Sequence, residues 1–401
     1  MRLAGRTSRI ATSPTMKVGA TVDRLRREGV EIIDFGAGEP DFAAIESAKT
    51  AAREAIDRDF SKYTPVAGVA ELRRALCERY RLDYGVEYQE SEVILSAGGK
   101  QALFNTALAL FEAGDEVITH SPYWPTLTEQ IKLAEATPVI VQTRPEDGFA
   151  IRAETILGAV TPRTRGILLN SPCNPTGALI SEPDMTAIAQ EAARRSIWIV
   201  IDLCYEHLIY DSATPHNLPG ILRRYCPDQG VICGSASKAY AMTGWRCGWT
   251  IAPPGVVAAE IALQSHATSN VNSVAQKGAI AALTGSQAPV VAMLDEYRQR
   301  RDSLYQWLTA DPRITCLKPA GAFYLFPDIR QVLADGGFKT SADFAQALLD
   351  DSRVAVTPGE AFDAPGFIRI SYATSIDQLR EGSRRLLEFV GRRTGRNLVA
   401  G

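Results

Sequence analysis

TRGILLN, residues Thr164–Asn170, opens the stretch of sequence that decides the fold, and SIWIVID (Ser196–Asp202) and VICGS (Val231–Ser235) continue it. All three runs are short, rich in aliphatic and β-branched residues, and end in a polar residue, which predicts buried strands. A helical stretch at Pro183–Arg195 separates the first two. Strands that alternate with helices form a mostly parallel sheet with helices on both faces, so we predict an α/β fold. Ligands bind such sheets at the carboxyl ends of the strands.

The same alternation extends toward the N-terminus. Three more runs predict strands: EVILS (Glu92–Ser96), DEVITH (Asp115–His120) and TPVIVQ (Thr137–Gln142). Apolar residues spaced three and four apart predict helices, and these stretches are Ala48–Ile56, Val69–Tyr80, the glycine-led run AGGKQALFNTALALF, and Trp124–Leu133.

After about residue 285 the pattern changes to long helices. They are predicted at Gln287–Thr309, Ser341–Asp351 and Ile376–Arg393, with the strand-like segments AFYLF and GFIRISY between them. We therefore predict a large domain with a mostly parallel sheet over residues 46–285 and a smaller α+β domain over residues 286–401. Residues 1–45 are too short to fold alone, and we expect them to form an arm that packs on the smaller domain.

Composition excludes several classes of function. The 401 residues include 43 basic and 46 acidic side chains, a net charge of −3, which argues against nucleic-acid and membrane partners. No apolar run approaches the roughly 18 residues needed to span a bilayer. Four histidines without an H-E-x-x-H pattern argue against a metal site. Seven cysteines without a C-x-x-C pattern indicate reduced thiols, so we expect a cytoplasmic protein.

One lysine is a candidate nucleophile. Lysine is rare in this chain, with nine against thirty-four arginines, yet Ser235-Ala236-Ser237-Lys238 follows a predicted strand directly. An amine at a strand end among small hydroxyl residues can form a Schiff base. A surface lysine in a loop is the simpler interpretation. The S-x-x-K motif of penicillin-binding proteins is another, but it requires K-T-G, and this chain has only Lys339-Thr340-Ser341.

Polar residues also follow the two preceding strands. Asn170 leads into the turn-rich loop SPCNPTG, and Asp202-Leu203-Cys204-Tyr205 follows the next strand. With Lys238, these strand ends bring an amide, a carboxylate, a phenol and an amine to one crevice. The sequence here resembles the class I pyridoxal-phosphate aminotransferases of the aspartate aminotransferase group. The motifs that carry the resemblance are SRI, SPT, GAGEPDF, KYTPVAG, GGKQALFN, SPYWP, NSPCNPTG, DLCYEHL, SASKAYAMTGWRCGW, GAFYLF and FIRISYATS.

The resemblance implies pyridoxal-phosphate fold type I and pyridoxal 5′-phosphate as cofactor. The family carries this cofactor as an imine on the motif lysine, here Lys238, whose freed amine then moves the substrate α-proton. Asp202 matches the carboxylate that pairs with the pyridine nitrogen, and a helix cap is its alternative role. Tyr205 and Asn174 match the residues that hydrogen-bond the phenolate oxygen of the ring. Asn174 could instead serve only its turn, since Asn-Pro opens turns.

Further matches concern the ring and the phosphate. Trp124 matches the aromatic residue that stacks on the pyridine ring, although it could be a core aromatic. Two glycines stand where a strand passes into a helix, and a helix N-terminus suits an anion. The resemblance implies a homodimer with shared active sites, because Tyr63 matches a tyrosine that reaches the phosphate of the neighbouring subunit. The predicted phosphate ligands within the chain are Gly98, Gly99, Lys100, Ser235 and Arg246.

Substrate binding is expected at Arg369, which matches the arginine that holds the substrate α-carboxylate; a solvated strand arginine is the alternative. Gly38 matches a backbone contact to the same carboxylate, and Trp124 and Asn174 also border the substrate. The arm segment with Ser13 and Thr15 resembles one that joins Lys100 on a distal carboxylate. Arg9 could add a second cation for larger substrates. Alternatively, Lys100 binds only phosphate and Ser13 is a helix N-cap.

These matches predict transamination between an amino acid and a 2-oxo acid such as 2-oxoglutarate or oxaloacetate. Aspartate or glutamate is the expected amino acid. Prephenate or aromatic and kynurenine aminotransferases, and a pyridoxal-phosphate β-lyase on the same fold, are the alternatives. A ligand-sensing regulator is a poor fit, because no helix-turn-helix pattern precedes GAGEPDF. Two positions depart from the family pattern: Leu203 stands where glutamate is usual, and Cys173 where a second asparagine is usual.

Overall fold

The computed structural model describes residues 3–11, 14–210 and 216–395, and of residues 14–18 it describes the backbone only. Helix α1 (Pro14–Arg27) and the two-residue strand β1 (Ile33–Asp34) precede the main body of the chain.

A seven-stranded sheet forms the centre of the molecule. Its order is β2-β8-β7-β6-β5-β3-β4. The pairs from β7 through β6, β5 and β3 to β4 are parallel, whereas β8 runs antiparallel to both β2 and β7. The strands are β2 (Val93–Ser96), β3 (Glu116–Ser121), β4 (Thr137–Gln142), β5 (Thr164–Asn170), β6 (Trp198–Asp202), β7 (Gly230–Ser235) and β8 (Gly248–Ile251).

Helices cover both faces of this sheet. They are α2 (Glu46–Asp57), α3 (Ala70–Tyr84), α4 (Gly99–Leu110), α5 (Thr126–Leu133), α6 (Ala153–Gly158), α7 (Glu182–Arg195), α8 (Leu218–Tyr225), α9 (Ala236–Ala239), α10 (Pro254–Ser265) and α11 (Ser273–Thr284). Successive residues of β6 belong to different hydrophobic cores: Ile199 and Ile201 pack on one face of the sheet, and Val200 packs on the other. Both faces of the strand are therefore buried, which is why its sequence is continuously apolar.

The C-terminal part is built around a smaller antiparallel sheet of order β11-β12-β9. A separate core lies here, to which Phe344, Phe389 and Tyr324 contribute. The elements are α12 (Ala288–Leu308), β9 (Tyr324–Leu325), α13 (Arg330–Gly336), α14 (Ser341–Ser352), β10 (Val354–Ala355), β11 (Thr357–Pro358), β12 (Ile368–Ser371) and α15 (Ile376–Thr394).

The N-terminal residues contact both parts of the molecule. Strand β1 pairs with β10 in parallel, and Val22 and Ile32 share a small core with Leu349 and Ala355. In contrast, Arg9 forms an ion pair with Glu135, which follows α5, one of the helices that cover the seven-stranded sheet. The predicted boundaries at residues 45 and 285 stay predictions.

The α/β fold class with a mostly parallel sheet is confirmed. The predicted strands at Thr137–Gln142 and Thr164–Asn170 have the bounds that the structure shows. Strand β8 was not predicted, because its four residues GWTI are too few to show a clear periodicity. In the part of the chain that the structure describes, no helix is both long and apolar enough to cross a membrane.

Candidate active site

The carboxyl ends of β5, β6 and β7 open into one large cavity. Strand register places Asn170 beside Asp202, and Asp202 beside Cys233. The cavity has a volume of about 760 Å³, which suits a cofactor together with a small substrate. The predicted site residues that line it are Gly38, Gly99, Lys100, Trp124, Asn174, Asp202, Tyr205, Ser235, Lys238, Arg246 and Arg369.

The remaining predicted residues lie elsewhere. Gly98 is buried beside the cavity at the start of α4. Tyr63 is 91% exposed in the loop before α3. The guanidinium of Arg9 lies 2.8 Å from the Glu135 carboxylate at the surface. Ser13 and the side chain of Thr15 lie outside the described residues.

Lys238 belongs to the short helix α9, directly after β7. Ser235 begins this helix by accepting a hydrogen bond from the amide of Ser237. The Lys238 Nζ donates to the carbonyl of Gly38 at 2.5 Å. Burial lowers the pKa of the amine, and a lowered pKa increases the fraction of neutral, nucleophilic amine.

Asp202 lies at the end of β6 and is only 4% exposed. Burial raises the pKa of its carboxyl to about 6. One oxygen accepts from the amide of Cys204 at 2.9 Å. Asp202 forms no ion pair with any residue that the structure describes, so a cation in the cavity would find a ready partner.

An anion cradle lies at the N-terminus of α4. Gly98 has a φ of +85°, a region that strongly favours glycine, and a Cβ at this position would collide with the guanidinium of Arg246. Arg246 is itself oriented by the carbonyls of Thr243 and Ala97, at 2.8 and 3.1 Å. The start of α4, the Arg246 guanidinium and the Ser235 hydroxyl therefore lie next to one another in the wall of the cavity, an arrangement that suits a phosphate dianion.

Gly248 on β8 packs closely against the backbone of this cradle. A Cβ at Gly248 would collide with the backbone of Gly98 and Gly99, which cannot move without displacing the start of α4. We expect Gly248→Ala to lower the free energy of unfolding by about 1–3 kcal/mol and to weaken cofactor retention on dialysis. Gly244→Ala is the control, because a Cβ there would meet no described atom within 4 Å outside Gly244 and its two neighbours in the chain. Equal stability and retention in the two variants would contradict this role.

A second cation, Arg369, projects from β12. Its guanidinium donates to Asn174 Oδ1 at 3.0 Å and to the carbonyl of Gly36 at 2.9 Å. Arg369 is 2% exposed, and its Nε is buried with no hydrogen-bond partner among the described residues. The group is thus oriented by neutral acceptors and forms no ion pair with a described residue, an arrangement that can bind a carboxylate.

Lys100 stands in the first turn of α4, and its Nζ lies 4.8 Å from the centre of the Trp124 ring. Its pKa is lowered by burial and by the charge of Arg246. Lys100 lines the cavity and is near enough to Arg246 of the anion cradle to feel its charge. This position is compatible with either predicted role, a phosphate ligand or a ligand of a distal carboxylate.

Sequence reasoning assigned no role to Tyr324, Cys204 and Asn170, although all three line the cavity. Tyr324 lies in the motif GAFYLF, and its hydroxyl is 2.8 Å from that of Tyr205. The strand pairing that brings Tyr324 to Arg369 carries no local sequence signal. The two departures from the family pattern, Leu203 and Cys173, are both buried and neither lines the cavity. Leu203 packs in the core of the large sheet, and the Cys173 Sγ lies 3.7 Å from the carbonyl of Pro122.

Comparison with known proteins decides the family. The family profile "Aminotransferase class I and II" matches residues 30–386. The chain belongs to the class I and II aminotransferases. An aspartate aminotransferase from Bacillus subtilis is 38% identical over 97% of this chain and 99% of its own. An aspartate/prephenate aminotransferase from Cereibacter sphaeroides is 39% identical over 95% and 97%. The aspartate aminotransferase from Thermus thermophilus, solved with maleate, superposes with a TM-score of 0.91 at 40% identity, covering 96% and 99%.

The aminotransferase uses pyridoxal 5′-phosphate, the cofactor of this family. The residues of the cavity fit the chemistry of that group. Asp202 offers a buried carboxylate to a ring cation, the cradle at Gly98 and Arg246 offers amides and a charge to a phosphate, and Lys238 offers an amine. The sequence-based predictions of fold class, enzyme class and cofactor are confirmed. The roles of individual residues stay predictions.

Proposed function

We propose that the enzyme transfers the amino group of aspartate or glutamate to a 2-oxo acid such as 2-oxoglutarate or oxaloacetate. The observation that carries this proposal is that two cationic side chains, Arg369 and Lys100, line the same cavity as Lys238. A dicarboxylic substrate supplies two anionic groups, one for each cation. The names of the relatives support the proposal, as does maleate, a dicarboxylate, in the Thermus structure.

We assign the cofactor contacts as follows. Asp202 pairs with the ring nitrogen, Tyr205 and Asn174 donate to the ring oxygen, and Trp124 stacks on the ring. When bound, the cofactor supplies a protonated ring that can accept the electron pair of the broken substrate bond. The phosphate contacts are Gly98, Gly99, Ser235 and Arg246, with Lys100 bordering them.

Lys238 is the proposed acid–base group. Its Nζ removes the proton from the substrate α-carbon and delivers it to the carbon that will carry the transferred amino group. One backbone segment relates this amine to the carboxylate site, because Gly38 accepts from Lys238 and Gly36 accepts from Arg369. A carboxylate bound by Arg369 is therefore held at a defined position relative to the Lys238 amine, which favours a reactive geometry.

Lys100 is the proposed ligand of the distal carboxylate. We expect Lys100→Ala to slow the half-reactions with aspartate and glutamate by roughly ten- to a hundredfold, since a partly buried ion pair is lost. Reactions with alanine and phenylalanine should change by less than about twofold, because these donors carry no second carboxylate. The measurement is the rate of the cofactor absorbance change with each donor in single turnover.

The donor pattern separates the two roles of Lys100. An equal loss for all four donors, with weaker cofactor retention, would show that Lys100 serves the phosphate. Lys132→Ala is a matched control, because that amine is engaged by Glu129 at 2.8 Å on α5 and does not line the cavity. It should leave all donors unaffected.

Prephenate is the runner-up among substrates, because the Cereibacter relative is named for both aspartate and prephenate. The half-reaction panel with prephenate and 2-oxo acids as acceptors distinguishes the two. The relatives are named for aspartate and prephenate, which favours neither the β-lyase nor the kynurenine alternative.

We further propose a cytoplasmic homodimer in which Tyr63 completes the phosphate site of the partner. Its 91% exposure in one chain suits a residue that acts across an interface. The seven free cysteines suit a reducing compartment.

A further inference from the structure

Tyr324 contacts two groups that line the cavity, the Tyr205 hydroxyl and the Arg369 guanidinium. It is fully buried on β9, and its hydroxyl lies 2.8 Å from the hydroxyl of Tyr205. Its ring lies under the guanidinium of Arg369, 4.3 Å from the ring centre to Cζ. A Cβ built on Gly38 would be 3.3 Å from the Tyr324 hydroxyl and 3.8 Å from Arg369. Tyr324 thus contacts the phenol and the guanidinium, and it leaves no free space for a side chain at Gly38, whose carbonyl accepts from Lys238.

Strand pairing produces the ring–guanidinium contact. Tyr324 lies directly opposite Ser371 in the antiparallel pair of β9 and β12. Arg369 is two residues from Ser371, so its side chain leaves the same face of the sheet, within diagonal reach of a large ring. A cation over a desolvated aromatic face is held more strongly than one in water.

We propose that Tyr324 is a positioning residue with two separable parts: its hydroxyl donates to Tyr205, and its ring holds Arg369 for the substrate carboxylate. The proposal rests on the proposed roles of Tyr205 and Arg369. Each phenol has one proton, so either hydroxyl can donate to the other. When the Tyr205 hydroxyl donates its hydrogen bond to an oxygen acceptor in the cavity, only the Tyr324 hydroxyl can donate in the bond between the two phenols. The hydrogen bond that Tyr324 donates to Tyr205 then strengthens the hydrogen bond that Tyr205 donates to the acceptor.

The titratable and charged groups that face the two phenols are Cys204, Lys238 and Arg369. Burial raises the pKa of both phenols, so both keep their protons near neutral pH and remain able to donate.

The test compares two variants that remove different parts of Tyr324. Tyr324→Phe removes the hydroxyl and keeps the ring, whereas Tyr324→Leu removes both. Tyr372→Phe is the matched control: Tyr372 is fully buried in the same core, and its hydroxyl donates to the carbonyl of Ala322 at 3.3 Å, away from the cavity. Two quantities are measured: the pH midpoint of the visible absorbance change of the holoenzyme, and the affinity of the cofactor-free protein for succinate by calorimetry.

We expect Tyr324→Phe to raise the pH midpoint by about 0.3–1 unit, because a weaker donor at Tyr205 stabilises the anionic ring oxygen less. Its succinate affinity should stay within about twofold of wild type. Tyr324→Leu should raise the midpoint similarly and also weaken succinate binding by about three- to thirtyfold. The control should match wild type in both.

Two results would overturn the inference. A midpoint in Tyr324→Phe equal to that of the control removes the role of the hydroxyl, and unchanged succinate affinity in Tyr324→Leu removes the role of the ring. Failure of the proposed residue roles would look different. In that case Tyr205→Phe would leave the wild-type midpoint unchanged, or Arg369→Gln would leave succinate affinity unchanged.

Discussion

Lys238→Ala should keep its fold and bind pyridoxal phosphate, but lose transamination by at least about 10²–10⁴-fold, the usual contribution of one acid–base group. The physical reason is that the side chain combines a lowered pKa with a place in the cavity beside Asp202 and Tyr205. Borohydride treatment followed by peptide mass analysis should find the cofactor on the Lys238 peptide of the wild type and on no peptide of the variant.

Lys339→Ala is the control for Lys238→Ala. Lys339 is the lysine of the K-T-S segment, is exposed, and lies outside the cavity, so its loss should change neither activity nor borohydride capture. Small primary amines added to Lys238→Ala should restore part of the proton transfer, which a folding defect would not allow. Unchanged borohydride capture in Lys238→Ala would contradict the assignment.

Asp202→Asn should slow removal of the substrate α-proton by several orders of magnitude. Loss of one charge-assisted hydrogen bond costs about 1.5–3 kcal/mol, and the neutral ring accepts electrons poorly, which adds to the loss. The variant also separates the predicted role from a cap role. An asparagine oxygen can still accept from the amide of Cys204, so a cap role would survive the change.

The pKa of Asp202 adds a readout that is independent of turnover. In the wild type, burial raises this pKa to about 6, so the carboxyl is ionised above pH 6 and protonated below it. Pairing with a ring cation requires the ionised form, so cofactor affinity should fall as pH is lowered through about 6. In Asp202→Asn this part of the pH dependence should disappear. A half-reaction rate within a few-fold of wild type, or an unchanged affinity profile, would rule out the pairing.

Particular elements explain how far sequence reasoning reached. Strands β4 and β5 were predicted with their observed bounds, because a strand buried on both faces or flanked by helices has a strong local pattern. Strand β8 was missed, because four residues beginning with glycine carry almost no pattern. The arm was expected to pack on the smaller domain; Arg9 also pairs with Glu135 beside the large sheet, a contact that no local signal indicates.

Motif matching named eleven of the residues that line the cavity, Lys238 and Asp202 among them, since each motif is a contiguous segment of sequence. It could not find Tyr324 as the link between Tyr205 and Arg369. Tyr205 and Tyr324 are 119 positions apart, and their contact depends on how the smaller antiparallel sheet docks at the ends of β6 and β7.

By itself the sequence determined the fold class, the family, the cofactor and the segments that carry the candidate site, because those follow from hydrophobic period and from short contiguous motifs. Only the tertiary structure decided what surrounds each side chain. It buried Asp202 and so raised the pKa of its carboxyl to about 6, and it placed the Gly248 backbone against the anion cradle. It also brought the hydroxyls of Tyr205 and Tyr324 within hydrogen-bond distance of each other. Desolvation, close packing and distant contacts are properties of the assembled chain, and no local stretch of residues encodes them.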